Sequence, residues 1–142
     1  KDYRASKRRG EKATKDKEKM KIKTHKDLDV YKLAFDSAME IFELSKSFPQ
    51  DERYSLTDQV RRSSRSVCAN IAEAFRTRRY KNNFVSKLSI SECEGGETQV
   101  WLDFAFFCGY IDKETHNQLF DKYDHILSML VNIIIKPEKW LL

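Results

Sequence analysis

Four stretches of the chain repeat apolar or small residues at steps of three and four, the spacing that puts them on one face of an α-helix. Leu28, Tyr31, Phe35, Ala38, Phe42 and Ser45 predict a first helix over 27–48, ended by Pro49. Leu56, Val60, Ser64, Val67, Ile71 and Ala74 predict a second over 56–77. Phe84, Leu88, Ser91, Gly95, Thr98, Leu102 and Ala105 alternate steps of four and three without a slip and predict a third over 81–108, with Gly109 placed to close it. Leu119, Tyr123, Ile126, Leu130 and Ile133 predict a fourth over 112–135, with Asp112 as N-cap and Pro137 as terminator. The intervening loops are short, and short loops force consecutive long helices to run antiparallel. The pattern therefore predicts an all-α, antiparallel up-down-up-down four-helix bundle.

Several seam positions are small: Ala38, Ser64, Ala74, Ser91, Gly95 and Thr98. Small side chains let helix backbones approach. Gly95 and Gly96 in mid-helix each cost about 1 kcal/mol relative to alanine, and close packing is the expected compensation. Residues 1–23 have almost no apolar content, so they cannot bury surface and are expected to form a basic, flexible arm outside the bundle domain of 24–142.

Composition agrees with a single globular domain. The chain has 142 residues, 40% of them hydrophobic, with only four glycines and two prolines, too few turn-formers for a many-stranded sheet. Cys68, Cys93 and Cys108 are widely spaced and lack metal-ligand or framework spacing, so reduced thiols in a cytoplasmic protein are expected. No signal peptide or bilayer-spanning run is read from the sequence.

Charge is more informative by segment than in total. The net charge is +5. Residues 1–27 carry 12 basic and 5 acidic side chains, 28–52 carry 2 and 6, 53–87 carry 9 and 2, and 88–142 carry 4 and 9. On a helical wheel Arg61, Arg62, Arg65 and Arg76 fall opposite the apolar stripe of the second helix, and Arg78, Arg79, Lys81 and Lys87 continue the charge past its end. Guanidinium forks suit phosphate oxygens. Such a row can follow a nucleic-acid backbone, helped by Lys7, Arg8 and Arg9 of the arm, with binding that is salt-dependent and weakly sequence-specific. It can equally pair with acidic helices of a neighbouring subunit, or remain solvated. Tyr54, Tyr80 and Phe84 lie close enough in sequence to be considered as stacking partners for bases, Phe84 being better suited to the core.

Enzymatic chemistry finds no foothold. The carboxylates Glu73, Glu92, Glu94 and Glu97 lack the Glu-x-x-His pattern of di-iron bundles, and none of His25, His116 and His125 completes it. No nucleophile elbow or glycine-rich phosphate loop occurs. No enzyme activity, metal or cofactor is expected. Asn70, Glu73 and Glu97 are expected to share a polar cluster within or between subunits. Trp101 is expected beside the core or covering an interface, and Trp140 is expected to dock as a C-terminal anchor.

THKDLDVYKLA (24–34), YSLTDQVRRSSRSVCANIAEAF (54–75), ETQVWLDFAFFCGYI (97–111) and PEKWLL (137–142) together resemble the 23S ribosomal RNA intervening-sequence proteins, a family of four-helix-bundle proteins. The resemblance spans 21–142. Where the family usually has glycine after NIAE, this chain has Ala74. The resemblance implies a homopentamer around a central channel, nucleic acid (RNA or DNA) as partner, and no enzymatic activity. A related accessory protein of diversity-generating retroelements assists a reverse transcriptase, so a scaffold for such a partner is the alternative reading.

Overall fold

The computed structural model describes residues 22–142. The expected arm of 1–23, with Lys7, Arg8 and Arg9, lies almost wholly outside the described residues. Four helices follow in order: α1 (Asp29–Ser45), α2 (Leu56–Arg76), α3 (Lys81–Phe107) and α4 (Lys113–Ile135). Short 3₁₀ turns at His25–Asp27, Gln50–Glu52 and Glu138–Trp140 punctuate the ends. Each helix packs against its chain neighbours and α4 returns to α1, which makes an up-down bundle with α1 and α3 on one diagonal. Among the described residues no helix is long and apolar enough to cross a membrane.

Helix boundaries follow local chemistry. Thr24 and Asp27 form a capping box, with the Asp27 carboxylate accepting from the Lys23 and Thr24 amides. That closes a 3₁₀ turn and delays α1 to Asp29, two residues later than its periodicity predicts. At the far end of α3, Gly109 takes φ +79°, the Gly109 amide donates to Phe106 and the Tyr110 amide to Ala105, the two bonds of a Schellman stop. Asp112 caps α4 by accepting from the Thr115 amide at 2.7 Å.

The seams predicted for α2, α3 and α4 are buried at every position. The seam predicted for α1 is not. Its buried residues are Val30, Ala34, Ser37, Ala38, Ile41 and Ser45, whereas Phe35 is 47% exposed and Tyr31 and Phe42 are half-buried. Two seams overlap on this helix, and the one with smaller side chains goes inside. Ser37, also buried, satisfies its hydroxyl by donating to the Leu33 carbonyl.

The α2–α3 pair is joined through small polar residues. Ser91 Oγ donates across to the Val67 carbonyl at 2.8 Å, and Thr98 Oγ1 lies 2.8 Å from Ser63 Oγ, all four residues being buried. Gly95 sits between them. A Cβ there would lie 2.8 Å from Leu127 Cδ2 of α4, so any side chain at this position would displace the end of Leu127. Trp140 is half-buried against the core, and its 3₁₀ turn is tied down by a Lys81–Glu138 ion pair at 3.1 Å.

Candidate nucleic-acid interface

The basic residues of α2 leave the helix on two shoulders as well as its crest. Arg61 leans toward α1: its Nε donates to Ser45 Oγ at 2.7 Å, and its guanidinium lies 4.9 Å from the Phe42 ring centre. Arg65 and Lys46 approach the same ring at 5.6 and 4.8 Å. Lys46 is also paired with Glu43 at 3.1 Å. Arg62 leans the other way. Its Nη2 donates to both carboxylate oxygens of Glu97 at 2.7 and 2.6 Å, and its Nη1 donates to Glu94 at 3.1 Å. This corrects the expectation of one outward row: Arg61 and Arg62 are 100° apart on the helix, so each reaches a different neighbour. The Arg62 hydrogen bonds hold the Glu97 carboxyl below the usual carboxylate range, and the same pairing raises Arg62.

Past the end of α2 the cations crowd around a tight turn. Arg78 covers the Phe75 ring at 3.9 Å, Arg79 lies 4.8 Å from the Tyr80 ring, and Arg79 Nη1 reaches the Arg76 carbonyl at 3.4 Å. Thr77 Oγ1 donates to the Glu73 carbonyl and accepts from Asn83 Nδ2, which fixes the turn between α2 and α3. Among the described residues, Arg61, Arg65, Arg76, Arg78 and Arg79 have no carboxylate within ion-pair distance, whereas Lys81 pairs with Glu138 and Lys87 with Glu73 at 3.0 Å. Of the eight cations singled out in the sequence, five are thus unneutralised among the described residues and three are engaged.

The expected cluster of Asn70, Glu73 and Glu97 does not form within the chain. Asn70 donates to the Ser66 carbonyl and hydroxyl, Glu73 meets Lys87, and Glu97 meets Arg62 and the Trp101 Nε1–H at 3.2 Å. Glu73 and Glu97 lie on the same edge of the α2–α3 pair but at different heights along it, and each of the three residues finds a local partner. Trp101 is half-buried, its ring tilted against Phe104. Phe42 and Lys46 were missed as members of the basic surface, because Phe42 fits a core seam by spacing. The one hint was Lys46 four residues beyond it, on the same face.

The profile of the 23S rRNA-intervening sequence proteins matches residues 26–132. Among solved structures, the fold is similar to a protein of unknown function from the S23 ribosomal protein family of Bacteroides thetaiotaomicron, with a TM-score of 0.69 and 28% identity, covering 75% of this chain and 96% of that one. No curated protein matches the sequence. With three quarters of its length accounted for by one profile and its bundle shared with a structure from that lineage, the chain belongs to the 23S rRNA-intervening sequence protein family.

Proposed function

We propose that the protein is a non-enzymatic homo-oligomer that binds RNA or DNA through phosphate contacts, with little reading of base sequence. One observation carries this reading: Arg76, Arg78 and Arg79 converge on the α2–α3 turn with no carboxylate among the described residues to neutralise them. A tight turn that gathers three guanidinium groups, two of them exposed and one half-buried, and gives them no carboxylate among the described residues suits a polyanion, which gains entropy by releasing counterions as it binds. Arg78 and Arg79 lie over aromatic rings, an arrangement that limits their conformational freedom before any ligand arrives.

Oligomerisation is supported by a second seam on α3. Ser86, Ile90, Cys93, Glu97, Val100, Phe104 and Phe107 repeat the four-three spacing of the buried seam on the opposite side of the helix. Phe104 is 53% exposed and Phe107 83%. Glu97 of this seam is engaged with Arg62, but Ile90, Val100, Phe104 and Phe107 are exposed, and an apolar row of that kind is suited to a further helix packing against it. A homopentamer is the assembly that membership of the family suggests.

The test is fluorescence anisotropy of the full chain with labelled RNA and DNA between about 50 and 200 mM salt. Binding is expected in both cases and should weaken steeply with salt. The triple variant Arg76→Gln, Arg78→Gln, Arg79→Gln should bind more weakly and with a flatter salt dependence, by about 0.9 in log–log slope per lost contact on a duplex and about 0.7 on a single strand. Failure to bind either nucleic acid at the lowest salt would overturn the reading.

A further inference from the structure

Two strips at the margin of the core run side by side on α1 and α2. On α1 the residues Tyr31, Phe35, Met39, Phe42 and Lys46 recur at steps of four, four, three and four. On α2 the residues Arg61, Arg65, Ala69, Ala72 and Arg76 recur at the same steps. The helices are antiparallel, and the strips meet where Arg61 and Arg65 approach Phe42. From there the α1 strip offers the exposed Met39 and Phe35, with Phe35 stacked on Tyr31 at 6.0 Å between ring centres, and His25 set edge-on to Tyr31 at 4.7 Å. Opposite them, Ala69 is exposed and Ala72 half-buried, so no long side chain of the α2 strip stands between Arg65 and Arg76. The result is a surface strip, the α1–α2 channel, about 22 Å long, fifteen helical steps at about 1.5 Å each, with cations at both ends and aromatic rings between them.

Three cationic groups within 6 Å of one ring centre repel one another, and among the described residues the carboxylate bonded to any of them is Glu43 on Lys46. Arg61 is fixed by Ser45, a neutral partner. An anion bound beside Phe42 would relieve that repulsion. The neighbouring rings need a different complement: flat, apolar and able to stack. A phosphate and a base adjoining it supply both in one residue. In a duplex the base faces are already stacked inside the helix, so Phe35 can reach them only on a single strand.

We infer that the α1–α2 channel is a binding site for single-stranded nucleic acid, in which Arg61, Arg65 and Lys46 hold phosphates and Phe35 and Tyr31 stack bases. The inference rests on the nucleic-acid reading above and narrows it to one strand form and one face. The turn cations Arg78 and Arg79 serve either strand form, and the channel distinguishes between them.

Anisotropy titrations of the full chain with a labelled oligonucleotide of about a dozen residues, as a single strand and as its duplex, test this. Phe35→Ala is expected to weaken single-strand binding about tenfold, the loss of one base–aromatic stack, and to leave duplex binding unchanged. Arg65→Gln is expected to lower the single-strand salt slope by about 0.7. Circular dichroism confirms that each variant is folded, as their exposed positions lead one to expect. If both variants bind the single strand as the unaltered protein does, the channel assignment is wrong. If Arg78→Gln and Arg79→Gln weaken binding in the same series, the broader reading survives that failure. If the unaltered protein binds neither strand form, both fall together. A Phe35→Ala variant that changes oligomeric size while keeping its affinity also overturns the inference, since the channel then belongs to a second copy of the chain.

Discussion

A Cβ placed on Gly95 would lie 2.8 Å from Leu127 Cδ2, whereas one placed on its neighbour Gly96 meets nothing within 4 Å. Both glycines lie inside α3 with ordinary helical φ, so each gives up helix propensity, and Gly95 alone has a packing reason to do so. Gly96→Ala is therefore expected to raise the unfolding free energy of the isolated bundle by about 0.5–1 kcal/mol, seen as a higher denaturant midpoint at unchanged slope. Gly95→Val, which adds three carbons where one is already too close, is expected to lower it by about 1–3 kcal/mol. An equal response at the two positions would mean that the α3–α4 approach is not what holds Gly95. Elsewhere, small side chains close the α2–α3 pair by hydrogen bonding as well as size: Ser91 and Thr98 place hydroxyls on partners across the interface, and a valine of similar shape at Thr98 would leave Ser63 without that partner.

At the scale of the helices, α2 and α3 are clamped on their outer edge by Arg62, Glu94 and Glu97. Hydrogen bonds from Arg62 are the main reason the Glu97 carboxyl is held below its ordinary value. A carboxyl depressed in the folded state stabilises fully above its unfolded pKa, and that contribution fades as pH falls through the folded one. Arg62→Ala should thus cost about 0.5–1 kcal/mol at about pH 7, a modest figure because Arg62 is 46% exposed and screened by water, and the gap from the unaltered protein should narrow at an acidic pH where the Glu97 carboxyl is protonated. Thermal melts at the two pH values decide it. This clamp shows what one-dimensional reading misses: Arg62 and its partners are 32 and 35 residues apart, and their meeting depends on how α2 registers against α3. Periodicity reveals which face of a helix is apolar, not which residue of the next helix stands opposite. The same limit explains Phe42 and Phe35. Spacing alone allowed two seams on α1, and the larger side chains were the natural choice for a core. The close approach of the helices reserves that space for Ala34, Ser37, Ala38 and Ser45. For α3 and α4 the seams are of unequal quality, so their cores were legible to the residue, as were the stop at Gly109 and the cap at Asp112, whereas the stripe read on α2 was right but too narrow, since Thr57, Ser63, Cys68 and Phe75 are buried beside it. The types of residue at the candidate interface were legible too, since unpaired arginine clusters stand out in any sequence.

Across the whole molecule, the proposed subunit contact and the proposed nucleic-acid surface are carried by different residues: Phe104 and Phe107 at the C-terminal end of α3, and the facing strips of α1 and α2. The α1 helix, which carries the channel's rings, lies diagonally across the bundle from α3, while α2, which carries its arginines, packs directly against α3 and meets the exposed seam where Arg62 bonds Glu97. A chain can therefore use both surfaces at once, and an assembly repeats the cationic surface in every subunit. Each tethered copy raises the effective concentration of the next site on the same strand, so affinity for a long nucleic acid should exceed that of one subunit without any new contact. Phe104→Asp combined with Phe107→Asp separates the two contributions. Both side chains are exposed in the single bundle, so the fold should persist by circular dichroism. In an oligomer the same positions would bury unpaired carboxylates, which is strongly unfavourable. Sedimentation velocity should show the variant as a monomer. Its affinity for an oligonucleotide of about a dozen residues, too short to bridge subunits, should match that of the unaltered protein, while its affinity for a long strand should fall by about a hundredfold, the lower end of what linked sites contribute. A variant that keeps its oligomeric size would place the subunit contact elsewhere than on α3. A monomer that binds long and short strands as tightly as the unaltered protein would show that assembly serves some purpose other than holding nucleic acid.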